Sequence, residues 1–306
     1  MAIIKKDAYF LSSTRENKIH CSIWQDDEKE PRGIFQIVHS IEEHIGRYEK
    51  VAAFLASKGY IVCGNDHLGH GLSVNSFYDM GFFAEQDGDM RLVDDIHILH
   101  RIMKKRYPEL PCYMIAHSMG TMIARVYATV FGNELSGLIL CGTNEFPSSA
   151  VVLEEPLKFL CTKLGVKANV PTTLLDKIGN LAIDSARTEK DWLSRDNETV
   201  DSYIDDPLCG NGLKLGGLRD IVSLANSCCT DEWASLVPLT LPILILSGAK
   251  DPMNFNGKGA IGVCDNLESA GHYPEVILYP GFRHEILREE ECEKVYYDIL
   301  NWINKL

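Results

Sequence analysis

The chain is 306 residues long, 45% hydrophobic and 24% charged, which suits a globular fold: one large domain, or one domain carrying an insertion. Its formal net charge of −13 repels phosphate backbones, so nucleic acid is not an expected partner. No run approaches the roughly 20 apolar residues of a membrane-spanning helix, and the opening segment MAIIKKDAYF lacks the apolar core of an export signal. The ten cysteines are scattered, several within apolar runs, and none forms a C-x-x-C pair. Thiols used in this way fit a reducing cytoplasm, and neither a zinc site nor a redox dithiol is expected.

Alternation near the start predicts an antiparallel hairpin, with KIHCSIW its clearest strand. GIFQIVH, Gly33 to His39, is a continuous apolar run, the mark of a strand covered on both faces. Tyr48, Val51, Ala52, Phe54 and Leu55 follow helical spacing between Arg47 and Lys58, and Gly59 is a natural stop. YIVCGND is the next strand, and Leu92, Val93, Ile96, Leu99, Ile102 and Met103 mark a helix over Met90 to Tyr107. CYMIAH is a strand that runs straight into a helix from Met119 to about Phe131. LSGLILCGT, LPILILSGAKDP and PEVILYPGFRHE read as three further strands, and a last helix is expected from about Leu287 to Lys305. Strands alternating with helices in this rhythm predict an α/β fold, a mostly parallel sheet with helices on both faces.

One stretch breaks that rhythm. Residues 145–237 show amphipathic pieces (VVLEEPLKFLCTKLG, TLLDKIGNLAID, RDIVSLANSCC) but no clear buried strand. So long a segment is not a structureless loop, and a helical cap over the sheet is expected, with residues 1–144 and 238–306 forming the core. The piece from Val151 to Leu164 either packs on the core or makes an apolar mouth that touches a lipid surface.

The sharpest local signal is MIAHSMGTMIA, Met114 to Ala124, where an apolar strand meets His117-Ser118-Met119-Gly120 and a helix starts at once. That is the context of a nucleophile elbow, whose flanking positions must be small; here they are Ala116 and Gly120. A serine hydroxyl needs a base, and the base needs an orienting carboxylate. Asp251 follows the strand ILILSG and His284 follows the last strand, so both sit at strand C-terminal ends, the edge at which open α/β sheets build their sites. The order Ser118, Asp251, His284 is the order of the α/β-hydrolase fold. His67 and His70 in DHLGHG read as a structural turn rather than a metal site.

Val38 to Ser73, VHSIEEHIGRYEKVAAFLASKGYIVCGNDHLGHGLS, resembles the signature of the monoacylglycerol lipase and lysophospholipase family of α/β-hydrolases, H-G-x-x-E-H-x-x-R-Y, a helix, then G-Y-x-V-x-x-x-D-x-x-G-H-G-x-S. AHSMG, SGAKDP and GFRHE are similar to that family's nucleophile, acid and histidine motifs in order, and YIDDPLCGNG to its D-P-L segment at the end of the cap. The resemblance implies an α/β-hydrolase core with a helical cap and no cofactor or metal. It further implies an oxyanion hole from the backbone N–H groups of Met119 and Ile41, and a small acyl ester as substrate. Two positions depart from the pattern: Ser40 stands for the glycine after the motif histidine, and Ala116 for the first glycine of the elbow. Ser40 adds a hydroxyl that is a further candidate donor beside the oxyanion loop.

Glu43 and Arg47, one helical turn apart, are expected to form a surface ion pair, with a headgroup-binding role as the alternative implied by the family. Ser40, His117 and Cys209 are further candidate substrate contacts, Cys209 from beneath the cap. Two rival readings stay open. One is a peptidase or amidase of the proline iminopeptidase type, which needs cap carboxylates to hold a free amine. The other is a catalytically silent scaffold that binds only a ligand or partner.

Overall fold

A computed structural model of the chain describes residues 3–145, 153–170, 177, 179–180, 183, 185–230 and 232–306. Strands β1 (Ile3–Leu11) and β2 (Lys18–Asp26) form the hairpin expected from their alternation. β3 (Ile34–Val38) leads through a 3₁₀ turn at Ile45–Tyr48 into α1 (Glu49–Ser57) and β4 (Ile61–Asn65). α2 (Gly88–Arg106), β5 (Cys112–His117), α3 (Met119–Phe131) and β6 (Gly137–Cys141) follow. Between β6 and the strand Ile243–Gly248 lie α4 (Glu154–Leu164), β7 (Asn169–Val170), α5 (Asn197–Asp205), β8 (Leu213–Lys214), α6 (Leu215–Cys228) and α7 (Trp233–Leu236). β9 (Ile243–Gly248), α8 (Lys258–Ser269), β10 (Glu275–Tyr279) and α9 (Glu293–Ile303) complete the chain.

The strands form one sheet in the order β1-β2-β4-β3-β5-β6-β9-β10. β1 and β2 are antiparallel, β2 meets β4 antiparallel, and every pairing from β4 onward is parallel. Every residue of β3, β4, β5, β6 and β9 is buried, which is why these strands read as unbroken apolar runs rather than alternating ones. The register pairs Val38 with Ala116 and His117 with Cys141, so β3, β5 and β6 end level at one rim.

Three elements differ from the sequence pattern. KGAIGVCDNLES forms α8 although its glycines and polar residues blur the helical period. α6 begins at Leu215, a turn before the amphipathic run RDIVSLANSCC. The predicted closing helix splits into a 3₁₀ turn at Ile286–Arg288 and α9. In the segment between β6 and β9, β7 and β8 pair as a small antiparallel ribbon that no apolar run announces. Val151, Val152 and most of TLLDKIGNLAID lie outside the described residues. α6 packs on α2, α3 and α4. α4 buries only Cys161, leaving Leu153, Phe159 and Leu164 more than half exposed.

Arg125 of α3, fully buried, anchors both ends of this segment. Its guanidinium donates to Asn144 O (2.9 Å), to Glu145 Oε2 (3.1 Å) and to Cys228 O, and it stacks 4.2 Å from the Trp233 ring. Asn144 in turn donates through Nδ2 to Met253 O (2.8 Å), joining this anchor to the turn that follows β9. Removing one partner from a buried, hydrogen-bonded charge cluster costs about 3–5 kcal/mol. Arg125→Met is therefore expected to lower unfolding free energy by about that amount in urea titration, and an unchanged midpoint would contradict the anchor.

Candidate active site

Ser118 lies between β5 and α3 with φ 51° and ψ −119°, a conformation that non-glycine residues rarely adopt and that costs on the order of 1–3 kcal/mol. The surroundings impose it. Ser118 N–H donates to Cys141 O (3.0 Å), and Thr121 Oγ1 donates to Ser118 O (2.6 Å). A Cβ on Gly120 would come within 2.3 Å of Val38 O and 2.6 Å of His39 O, so only glycine lets the first turn of α3 lie against the end of β3. That crossing sets the start of α3 beside the turn that carries Ser40 and Ile41. Met119 is the first residue of α3, where the helix leaves backbone N–H groups without intrahelical partners.

Asp251 and His284 are brought together in the same way. A Cβ on Gly248 would lie 2.1 Å from Arg283 O and 2.3 Å from Phe282 O, so its absence admits the loop after β10 against the end of β9. Lys250 N–H donates to Phe282 O (2.9 Å) and Ala249 N–H to Tyr279 O (2.9 Å). With both turns pinned, His284 Nδ1 donates to Asp251 Oδ2 at 2.8 Å, and Met253 N–H donates to Asp251 Oδ1 at 2.9 Å. Asp251 is wholly buried and His284 is 4% exposed. Burial disfavours the imidazolium, but the charge and hydrogen bond of Asp251, with Glu285 and Glu43 nearby, outweigh it and raise the pKa of His284 above 6.5.

Ser118 and His284 line one cleft, together with Ser40, Ile41, Glu42, Glu43, His117, Lys190, Trp192, Leu193, Tyr203, Met253 and Glu285. The cavity within it is small, about 70 Å³, and partly open to solvent. A larger polar cleft of about 260 Å³, lined by residues such as Thr14, Asp79, Arg91 and Lys167, shares none of these side chains.

Behind the cleft lies a buried charge network. Glu43 Oε1 accepts from Ser40 N–H (2.7 Å) and Tyr48 OH (2.6 Å), while Oε2 accepts from Arg47 (2.8 Å) and Arg288 (2.7 Å). Glu285 accepts from both nitrogens of Arg47, at 2.6 and 3.0 Å, and from Nε and Nη2 of Arg288, at 3.0 and 2.8 Å. Burial opposes charge on Glu43, yet Arg288, His117 and Arg47 hold its carboxyl well below the usual carboxylate range, and the same arginines lower Glu285. His117 bridges the network and the loop of His284, with Nε2 3.2 Å from His284 O and Nδ1 3.7 Å from Glu43. Burial pushes its pKa below the ordinary imidazole value.

Several expectations need correction on this geometry. The Glu43–Arg47 pair exists but is not at the surface: the side chains are 1% and 7% exposed, because Glu285 and Arg288 close over them. Arg47 and Cys209 do not line the cleft; Arg47 is committed to the two glutamates and to the Tyr203 ring at 4.7 Å, and Cys209 packs with Trp192, Leu193 and Tyr203. Ser40, Glu43 and His117 do line it. As expected, His67 and His70 form a buried turn, their rings packed tilted and edge-on against His39; burial pushes the His67 imidazole down to about 3. Glu285, Arg288, Lys190, Trp192 and Met253 were not singled out from the sequence. The first two had a signal, opposite charges three apart directly after His284, whereas the others sit in turns without a pattern.

An eight-stranded, mostly parallel sheet flanked by helices, with Ser118, Asp251 and His284 following β5, β9 and β10, defines an α/β-hydrolase. The family profile described as serine aminopeptidase, S33 matches residues 29–291, and the chain belongs to that family. It is 30% identical to the monoacylglycerol lipase of Mycolicibacterium smegmatis, over 94% of this chain and 92% of that one. It is likewise 30% identical to the monoglyceride lipase of Homo sapiens, over 94% of this chain and 87% of the other. Among solved structures, a highly thermostable carboxyl esterase from Bacillus coagulans in complex with glycerol superposes with a TM-score of 0.90 at 32% identity, covering 99% of both chains.

Glu43→Gln removes one of two negative charges that balance two buried arginines. The expected result is a loss of about 3–5 kcal/mol in urea-induced unfolding, which a double-mutant cycle with Arg288→Met should show to be strongly non-additive.

Proposed function

We propose that this protein is a serine hydrolase of carboxylic esters, with monoacylglycerols and similar small acyl esters as its substrates. The observation that carries the reading is the elbow: Ser118 is held at positive φ in the same cleft as a His284 imidazole already bonded to Asp251. Ser118 attacks the ester carbonyl while His284 accepts its proton, and the backbone N–H groups of Met119 and Ile41 receive the oxyanion. His284 then activates water to release the acyl group, kept in its tautomer by Asp251. The apolar members of the cleft, Ile41, Trp192, Leu193 and Met253, suit an acyl chain. The names of the relatives and of the glycerol-bound esterase point to a glycerol ester.

Residues 145–237 act in this reading as a cap over residues 1–144 and 238–306, and the exposed Phe159 and Leu164 of α4 suit contact with a lipid surface. A cytoplasmic location is part of the proposal, supported by ten cysteines that are all free thiols. Among the described residues no helix is long and apolar enough to cross a membrane. An aminopeptidase would need a carboxylate available for a substrate amine. Glu43 and Glu285 face the cleft but every one of their carboxylate oxygens already accepts two hydrogen bonds, and Glu42 lies 3.9 Å from Lys190, so the ester reading is favoured.

Ser118→Ala is expected to lower kcat by about 10⁴-fold or more and to abolish labelling by a fluorophosphonate; persistent labelling would place the nucleophile elsewhere. A panel of glycerol and chromogenic esters run beside aminoacyl anilides should show ester turnover only, and preferential anilide cleavage would overturn the substrate class. The base must be neutral to accept a proton, and the pKa of His284 is raised. Activity on a neutral ester should therefore fall as pH drops through a value above 6.5, and in Asp251→Asn the residual activity should lose this limb or show it at lower pH.

A further inference from the structure

His44, Asp206 and Cys209 place an imidazole nitrogen, a carboxylate oxygen and a thiol sulfur within 4.8 Å of one another, outside the cleft that holds Ser118. We propose that this cluster is a binding site for a borderline-soft divalent ion, zinc above all, that clasps the loop after β3 to the segment after α5. Imidazole, thiolate and carboxylate are the zinc-binding donor types, and three protein ligands leave the fourth tetrahedral position for water. Bonds of about 2.0–2.3 Å set tetrahedral donors about 3.3–3.8 Å apart, so these side chains need shift by only about an ångström.

The positions of the donors are built in rather than accidental to mobile side chains. Asp206 directly follows α5; its Oδ1 accepts from Leu208 N–H (2.8 Å), and Cys209 N–H donates to Asp206 O (3.0 Å), which folds the two ligands into one tight turn. That turn is fixed to the facing loop by Gly210 N–H on Glu42 O (2.9 Å) and by Tyr203 OH on the same carbonyl (3.1 Å). His44 Nε2 reaches across to Asp206 Oδ2 at 2.8 Å. The His44 and Asp206 side chains are 16% and 27% exposed, which gives an ion a path from solvent, while Cys209 is buried beneath them.

The proton balance is explicit. The ion displaces the Cys209 thiol proton to solvent, and the single proton of the His44 imidazole moves from Nε2 to Nδ1. The cost is the long hydrogen bond that Nδ1 now accepts from Gly46 N–H at 3.2 Å. Loading the site would lock the loop of Glu42 and Glu43 to the segment carrying Tyr203, both of which line the cleft.

The test uses the full chain stripped with EDTA and titrated with zinc sulfate by calorimetry, and with cobalt(II) by absorption. Expected are one high-affinity zinc ion per chain, a near-ultraviolet thiolate-to-cobalt band, and a rise in melting temperature with zinc but not magnesium. Even outer-sphere partners are worth about 10–100-fold in metal affinity, so Cys209→Ser, Asp206→Asn and His44→Gln should each weaken binding by more than about 100-fold. Cys229→Ser, at a partly exposed thiol away from the cluster, should keep the site intact. Absence of one-to-one binding, or a cobalt band that survives Cys209→Ser or disappears in Cys229→Ser, would overturn the proposal. None of these readouts depends on ester turnover, so they stand or fall apart from the catalytic reading.

Discussion

Two glutamates and two arginines, buried side by side, hold together the three chain segments that build the cleft. Isolated charges at such depth would be prohibitively costly; here each carboxylate oxygen finds two donors, so desolvation is offset by charge-assisted hydrogen bonds. Glu43 thereby fixes the backbone of the Ser40–Ile41 turn, Glu285 and Arg288 fix the loop that presents His284, and Arg47 stacks under Tyr203 from the segment between β6 and β9. Any one of these segments alone is a surface turn with little apolar area of its own.

The same logic of forced proximity acts at the sheet rim. At both Gly120 and Gly248 a side chain would strike backbone oxygens, and each crossing carries one half of the site: the strained Ser118 at one, the turns of Asp251 and His284 at the other. The strain at Ser118 persists because β6, β3 and α3 hold its neighbours from three sides, which leaves the hydroxyl in place before a ligand arrives. Chemistry of this type draws its rate from groups fixed in advance rather than from groups that reorganise during the reaction.

The chain's membership in the S33 family and its likeness to a glycerol-bound esterase agree with this arrangement. The family is that of the S33 serine aminopeptidases, whereas relatives similar to this chain in sequence include lipases, and the electrostatics of the cleft bears on the difference. Glu43 and Glu285 line the cleft, but each of their carboxylate oxygens already accepts two hydrogen bonds. Net charge, at −13 for the whole chain, carries no information about this local balance.

Strand and helix positions were legible in the sequence wherever one period dominates: the buried runs GIFQIV, CYMIAH and ILILSG became β3, β5 and β9 because burial on both faces demands uninterrupted apolar residues. Ser118, Asp251 and His284 could be named because each follows such a run, and a turn at a strand's end is a local property. What no local pattern contains is which charges end up facing one another. Glu43 and Arg47 look like an exposed helical pair until Glu285 and Arg288, more than two hundred residues later, cover them. Cys209 likewise could be placed near the cleft by its motif, but packing of Trp192 and Tyr203 decides that it stands behind the wall. Periodicity and turn chemistry act over a few residues and were fixed by the chain itself; burial of charge depends on distant segments and was decided only when the sheet closed around them.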